Sequence, residues 1–119
     1  MFREVLQQVV EETEGGVAAI LMGYDGIPVE QYLAGDGTLN VESVGMEFSV
    51  VLSQIRKAAE MLEAGAAREV TIAAENMTTV IRLLNDEYFV AVTVAPGGNT
   101  GKARYLLRTG SGKLVDALG

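Results

Sequence analysis

The amino-acid sequence predicts an α+β fold: a three-layer sandwich with a five-stranded antiparallel sheet, one long helix on one face and two helices on the other. The first observation is the element order α-β-β-α-β-β-β-α, in which consecutive strands are joined by turns too short for parallel crossovers. The second is that the strands are apolar on both faces. Residues 87–95 place Val90 and Val92 on one side and Phe89 and Ala91 on the other. A sheet buried on both faces needs helices on both faces.

The length and composition predict one globular domain over residues 1–119. A chain of 119 residues buries roughly two-thirds of its unfolded surface, which is enough for a core without disulfides or metal. Hydrophobic residues make up 49% of the sequence, and this excludes a disordered segment, whose hydrophobicity would be low.

The first two elements are a helix and a strand. Apolar residues at helical spacing predict a helix over residues 2–14, which Gly15 and Gly16 end. Residues 17–24 form a short apolar run rich in branched side chains, which predicts the first strand.

A hairpin follows. The Asp-Gly pair at residues 25–26 is a turn signal and predicts a return strand over residues 27–34. Pro28 cannot donate to a strand ladder, so its position favours an edge strand or a strand start. Residues 35–37, Gly-Asp-Gly, predict a loop.

The second half begins with the longest helix, predicted over residues 41–64, with Asn40 as its N-cap and Gly65 as its stop. Three strands joined by short turns and a final helix follow, over residues 69–75, 78–84, 87–95 and 101–118.

The long helix carries more apolar surface than one core-facing side needs. One arc is predicted to face the core: Val41, Val44, Phe48, Val51, Leu52, Ile55, Ala59 and Leu62. Met46, Val50 and Met61 lie nearly opposite, together with polar side chains such as Gln54 and Lys57. An amphipathic surface helix should be polar there. We favour a second helix or a partner covering this side over scattered surface hydrophobes, which are common.

The composition argues against an enzyme. The absence of Cys and His excludes Cys/His zinc sites, iron–sulfur clusters and His-dependent nucleophilic catalysis. No catalytic residue, cofactor site or metal site is predicted, and the cluster Glu11, Glu12 and Glu14 is interpreted as solvated charge. A net charge of −7 disfavours nucleic-acid binding.

Neither membrane insertion nor secretion is predicted. The first residues lack a basic segment followed by an apolar core, so no signal peptide is expected. No apolar run is long enough to span a bilayer. The expected location is the cytoplasm.

The segment at residues 96–103, Pro-Gly-Gly-Asn-Thr-Gly-Lys-Ala, partly matches a phosphate-binding P-loop. It has Pro96 where that motif needs glycine and Ala103 where it needs Ser or Thr for magnesium. Asn99 as the cap of the last helix explains the segment better. The basic residues that follow, Lys102, Arg104, Arg108 and Lys113, could serve a protein partner, although a solvated helix face is the favoured interpretation.

The element order, with Met-Gly-Tyr-Asp-Gly-Ile at residues 22–27 and Asn-Thr-Gly-Lys-Ala-Arg at residues 99–104, resembles the roadblock/dynein-light-chain domain family over essentially the whole chain. The resemblance is closest to its bacterial MglB-like and MglC-like branch. It implies a roadblock/profilin-like fold and a homodimer or roadblock heterodimer made by pairing the third strands. It also implies a long-helix platform for a Ras-like small GTPase or a regulator of one, without an inserted arginine finger.

The resulting hypothesis is a non-enzymatic regulatory or scaffold protein, GTPase-activating or adaptor, of the kind that controls cell polarity and motility. The predicted partner platform on the long helix consists of Met46, Val50, Gln54, Lys57 and Met61. The predicted dimer pairing uses the alternating residues Val70, Ile72 and Ala74. The alternative is a small-molecule-sensing domain of profilin/PAS-like shape, which needs a cavity between helix and sheet.

Overall fold

The computed structural model describes residues 1–35 and 39–119. Of the predicted loop at residues 35–37, Asp36 and Gly37 lie outside the described residues. The elements follow the predicted order: α1 (Phe2–Glu12), β1 (Gly16–Gly23), β2 (Pro28–Leu33), α2 (Val41–Met61), β3 (Glu69–Ala73), β4 (Thr78–Leu83), β5 (Tyr88–Val94) and α3 (Thr100–Leu118).

The five strands form one sheet in the order β2-β1-β5-β4-β3, and every neighbouring pair is antiparallel. The predicted α+β class is therefore confirmed. The two edge strands are β2, which Pro28 begins as its position predicted, and β3. The sequence-adjacent strands β1 and β2 pair with a register irregularity at Leu21 and Met22.

Each face of the sheet carries its own core layer, so the three-layer arrangement is confirmed. The layer under α1 and α3 consists mainly of Leu6, Val9, Val10, Ala19, Leu21, Val80, Val90, Val92, Val94, Leu106, Leu107 and Leu114. The layer under α2 consists mainly of Ala18, Ile20, Met22, Val41, Leu52, Ile81, Leu83, Phe89 and Ala91. Successive strand residues alternate between the layers, as the period of two requires.

Asparagine side chains cap the two longer helices as predicted. Asn40 Oδ1 accepts the N–H of Ser43 at 3.1 Å, and Asn99 Oδ1 accepts the N–H of Lys102 at 2.9 Å. The residues 96–103 that partly match a P-loop therefore form a helix start, in which the Asn99 side chain accepts the backbone N–H of Lys102.

Two predicted helix ends extend too far along the chain. The helix α1 ends at Glu12 because the chain reverses there, with the Gly16 N–H donating to the Thr13 carbonyl at 2.9 Å. The helix α2 ends at Met61, and Glu63 takes a left-handed φ of 56° before Gly65 is reached. A residue with positive φ cannot continue a right-handed helix.

The predicted core face of α2 is wrong at two positions. Val51 and Leu62 were assigned to the core arc, but they are exposed at 47% and 77%. The buried face is instead centred on Gly45, Ser49 and Leu52. Val51 is rotated about 100° from Leu52 around the helix, and Leu62 lies past the last helical residue. Small residues let α2 approach the sheet closely, which shifts the buried arc away from Val51.

Candidate protein-interaction surfaces

The structure places all five predicted platform residues on the solvent side of α2. Met46, Val50 and Met61 are exposed at 54%, 63% and 76%, and Gln54 and Lys57 are exposed between them. At about 100° per residue, these five positions span an arc of about 80° around the helix. They therefore form one surface strip, which we call the α2 platform.

The apolar part of this face is wider than predicted, because the exposed Val51 and Leu62 flank the α2 platform. Scattered exposed hydrophobes are ordinary, whereas several large ones grouped on one helix are less common. The two methionines of the α2 platform are unbranched and polarizable, so they can adapt to a partner's shape. Assigning Val51 and Leu62 correctly needed the tilt of α2 on the sheet, which periodicity does not supply.

The edge strand β3 presents unpaired backbone groups. Its hydrogen bonds at both ends fix which residues face β4: the Arg68 carbonyl accepts the N–H of Leu83 at 2.9 Å, and the Ala74 N–H donates to the Met77 carbonyl at 2.9 Å. Backbone groups of an antiparallel strand alternate in direction. Every second residue between these two bonds therefore faces β4, and the others face away.

The predicted pairing residues occupy the positions that face β4. The backbone groups of Val70 and Ile72 point toward β4 in the register Val70–Ile81 and Ile72–Thr79, and Ala74 lies just beyond the end of β3. The Val70 side chain packs against the core layer under α2, and Ile72 is 37% exposed. Side chains at these two positions therefore lie on the α2 side of the sheet.

The outward-facing backbone groups of β3 belong to the intervening residues Glu69, Thr71 and Ala73. Any strand that added to this edge would make its main-chain hydrogen bonds to these residues. The alternation of backbone direction, which the sequence pattern alone leaves open, becomes definite once the pairing with β4 is known.

A surface depression of about 790 Å³ lies at the C-terminal end of α2. The Arg56 guanidinium stacks 4.3 Å from the Tyr24 ring centre, and its Nη2 lies 3.3 Å from Asp86 Oδ1. Burial raises the pKa of Tyr24, while the nearby Arg56 opposes the rise. The Tyr24 hydroxyl is buried and finds no hydrogen-bond partner within the described ranges. This arrangement fixes the β1–β2 turn against α2.

In the part of the chain that the structure describes, no group of three or more Asp and Glu side chains is placed to hold a metal ion. Within residues 1–35 and 39–119, no helix has the length and apolarity needed to cross a membrane.

A helix–sheet–helix sandwich whose five-stranded antiparallel sheet has β3 at one edge is the fold of the roadblock class. The crystal structure of MglC from Myxococcus xanthus is 37% identical to this chain, covers 94% of both chains and superposes with a TM-score of 0.67. The chain belongs to the roadblock/LC7 family, in its MglB/MglC-like branch.

Two more distant structures share the fold. The roadblock/LC7 domain from Streptomyces avermitilis is 14% identical over 97% of this chain and 95% of its own, with a TM-score of 0.84. Myxococcus xanthus MglB is 9% identical over 97% and 92%, with a TM-score of 0.85. No protein-family model and no curated protein sequence matches the chain.

Proposed function

We propose that this chain is a non-enzymatic regulatory subunit that forms a homodimer, or a heterodimer with another roadblock domain, and binds a Ras-like small GTPase or a protein that regulates one. The observation that carries the proposal is the exposed apolar strip on α2, where Met46, Val50 and Met61 are all more than half exposed. Binding to another polypeptide removes such surface from water, which contributes about 25 cal/mol per Å² of apolar area.

A cytoplasmic role in cell polarity or motility is part of this proposal. The similar structures include one described as gliding protein MglB from Thermus thermophilus, which is 16% identical with a TM-score of 0.82. At that identity the likeness supports the shared fold.

The proposed dimer joins two copies through β3. Antiparallel pairing of two β3 strands about a two-fold axis perpendicular to the sheet would extend one sheet into the other. Such an axis keeps each face of the sheet on its own side, so both α2 helices would lie on one face. The Val70 and Ile72 side chains already lie on that face. The two α2 platforms would then form one continuous surface for a partner.

The variant Val50→Asp tests the α2 platform. If a partner covers Val50, the new carboxylate is buried without a counter-charge, which costs about 3–5 kcal/mol and weakens binding more than roughly hundredfold. The matched control is Gln8→Asp, because Gln8 is exposed on α1 at the other face of the sheet and the change in charge is the same.

The measurements are sedimentation equilibrium for the dimer and calorimetric titration against purified Ras-like GTPases loaded with GDP or GTP. GTP turnover measured in the same mixtures separates an activator, which raises the rate, from an adaptor, which leaves it unchanged. If Val50→Asp dimerises and binds the GTPase like Gln8→Asp, the α2 platform is not the binding surface. If no Ras-like GTPase or GTPase regulator binds the unaltered chain, the proposed function is wrong.

The small-molecule-sensing alternative would need a cavity between α2 and the sheet. In the described structure that space is filled by the buried side chains of Ile20, Met22, Leu52 and Phe89. We therefore do not advance this alternative, and a thermal-shift screen against metabolites is expected to leave the melting temperature unchanged.

A further inference from the structure

A cationic surface lies on the opposite face of the sheet from the α2 platform. Four cationic side chains cluster where α3 packs on β4: Arg82 of β4, and Lys102, Arg104 and Arg108 of α3. The three arginines, Glu69 and Tyr105 line a depression of about 360 Å³, and Lys102 lies beside the Tyr105 ring. We call this set the α3 basic patch. It is cationic on a chain whose net charge is −7.

Helical spacing places these residues together. Gly101, Arg104, Tyr105 and Arg108 follow the i, i+3, i+4, i+7 pattern of a single helix face. Arg82 reaches the same face from β4, where it lies opposite Glu69 in the β3–β4 register. Gly101 has no side chain, so it leaves the floor of the depression open to a ligand.

Tyr105 forms the centre of the α3 basic patch. Its ring is 50% exposed, with Lys102 Nζ 5.9 Å and Arg108 Cζ 5.7 Å from the ring centre. Cations held beside an aromatic ring keep a defined position, while their outer N–H groups remain free for anions. An exposed tyrosine flanked by two cations also offers apolar contact area, which a peptide can use and an inorganic anion cannot.

One carboxylate meets this cluster. Glu69 Oε2 accepts from Arg104 Nε at 3.0 Å and from Arg104 Nη2 at 2.8 Å. These hydrogen bonds raise the pKa of Arg104. The ion pair between Arg104 and Glu69 is an example of a guanidinium of this cluster binding a carboxylate. In the described part of the chain, no carboxylate oxygen lies within 4.0 Å of the charged nitrogens of Arg82, Lys102 or Arg108. Three cations are therefore available to a second ligand.

We infer that the α3 basic patch is a docking surface for an acidic peptide segment, rich in Glu and Asp, of a partner protein. Guanidinium groups bind carboxylates in bidentate fashion, and the exposed tyrosine adds apolar contact. Duplex nucleic acid needs a longer basic surface to neutralise many phosphates, and the overall negative charge of this chain opposes it. The patch and the α2 platform lie on different faces, so two partners can bind at once.

The test uses a fluorescein-labelled decapeptide of alternating glutamate and glycine, followed by fluorescence anisotropy with the full chain. A decapeptide of alternating glutamine and glycine is the uncharged control. We expect the glutamate peptide to bind at least tenfold more tightly than the glutamine peptide. Its affinity should fall as sodium chloride rises from about 50 to about 200 mM, because the contacts are exposed to screening.

Two charge reversals on α3 locate the contact. Arg108→Glu should weaken glutamate-peptide binding at least tenfold. Lys113→Glu makes the same change in charge on the same helix, but Lys113 lies in a surface depression next to α1. Its effect should be less than about twofold. Both positions are exposed, so both variants should fold, which circular dichroism checks.

Several results would overturn the inference: equal weakening by both reversals, equal binding of both peptides, or tighter binding of a labelled deoxythymidine decamer than of the glutamate peptide. Assembly beyond the dimer that Arg108→Glu abolishes would assign the patch to a second copy instead. The inference and the proposed function fail independently, because Arg108→Glu should leave unchanged both GTPase binding, which is proposed for the α2 platform, and dimerisation, which is proposed for the edge of β3.

Discussion

The strand-edge geometry makes a sharp prediction about Thr71. Its backbone faces away from β4, because Arg68 and Ala74, three residues on either side, bond toward β4. Proline has no N–H to donate, and it is tolerated on an edge strand where the N–H faces solvent. Thr71→Pro should therefore leave the pairing of β3 with β4 in place while blocking the outer edge of β3.

The expected loss of dimerisation free energy follows from the hydrogen bonds of the proposed β3–β3 pairing. If two β3 strands pair about an axis at Thr71, Glu69, Thr71 and Ala73 of each copy supply up to about six main-chain hydrogen bonds. Thr71→Pro removes two of these, one donor from each copy. At about 0.5–1.5 kcal/mol each, the loss is about 1–3 kcal/mol, which corresponds to roughly 5- to 150-fold in the dimer dissociation constant.

Sedimentation equilibrium over a range of concentrations measures that constant. The matched control is Thr71→Ala, which keeps the N–H and alters the same exposed side chain. We expect Thr71→Ala to dimerise like the unaltered chain and Thr71→Pro to dissociate at higher concentration, with unchanged far-ultraviolet circular dichroism. A folded Thr71→Pro variant with the original dimer constant would show that β3 does not form the dimer, whatever the α2 platform does.

Two further predictions concern the packing of α2 on the sheet. Gly45→Val should lower the free energy of unfolding by about 1–3 kcal/mol, because a Cβ there would lie 2.8 Å from the buried Met22 Cε and 3.4 Å from Ile20 Cδ1; urea denaturation measures it, and unchanged stability would mean that the Met22 side chain moves aside without loss of packing. Tyr24→Phe should leave stability unchanged or raise it by up to about 1 kcal/mol near neutral pH, because it removes a buried hydroxyl that lacks a hydrogen-bond partner. Burial raises the pKa of Tyr24. The free energy of unfolding of the unaltered chain therefore has its full value below the ordinary pKa of about 10, and it falls as pH rises through the folded-state pKa. Urea titrations at increasing alkaline pH should therefore show a smaller loss of unfolding free energy for Tyr24→Phe than for the unaltered chain. Equal losses would contradict the raised pKa of Tyr24.

Much of the fold could be predicted from local signals. The Asn40 and Asn99 caps are local features, since the bonds they make reach only three residues along the chain. The two-faced burial of β5 was readable from its alternating apolar residues because a strand has a fixed period of two. Turn lengths then fixed the antiparallel pairing. These features depend on neighbours in sequence, so no knowledge of the tertiary structure was needed.

The sequence is less informative where packing between elements that are distant in the chain determines which residues are buried or paired. Val51 satisfies helical periodicity as a core residue, yet it is exposed because Gly45 and Ser49 draw another arc of α2 onto the sheet. The direction of the β3 backbone is likewise undetermined by the alternation of Val70 and Ile72, since either set of residues could face β4. The register with β4 settles it.

The α3 basic patch shows that cations that are neighbours in the sequence need not lie together in the fold. Along the sequence, Lys102, Arg104, Arg108 and Lys113 form one basic segment, for which a solvated helix face was the favoured interpretation. In the fold Lys113 turns toward α1, while Arg82, distant in sequence, joins the other three. The fold thus separates one cation from the segment and adds another, which concentrates positive charge around an exposed tyrosine. Apolar surface lies on one face of the sheet and cationic surface on the other, so the two partners proposed above would not compete for the same surface.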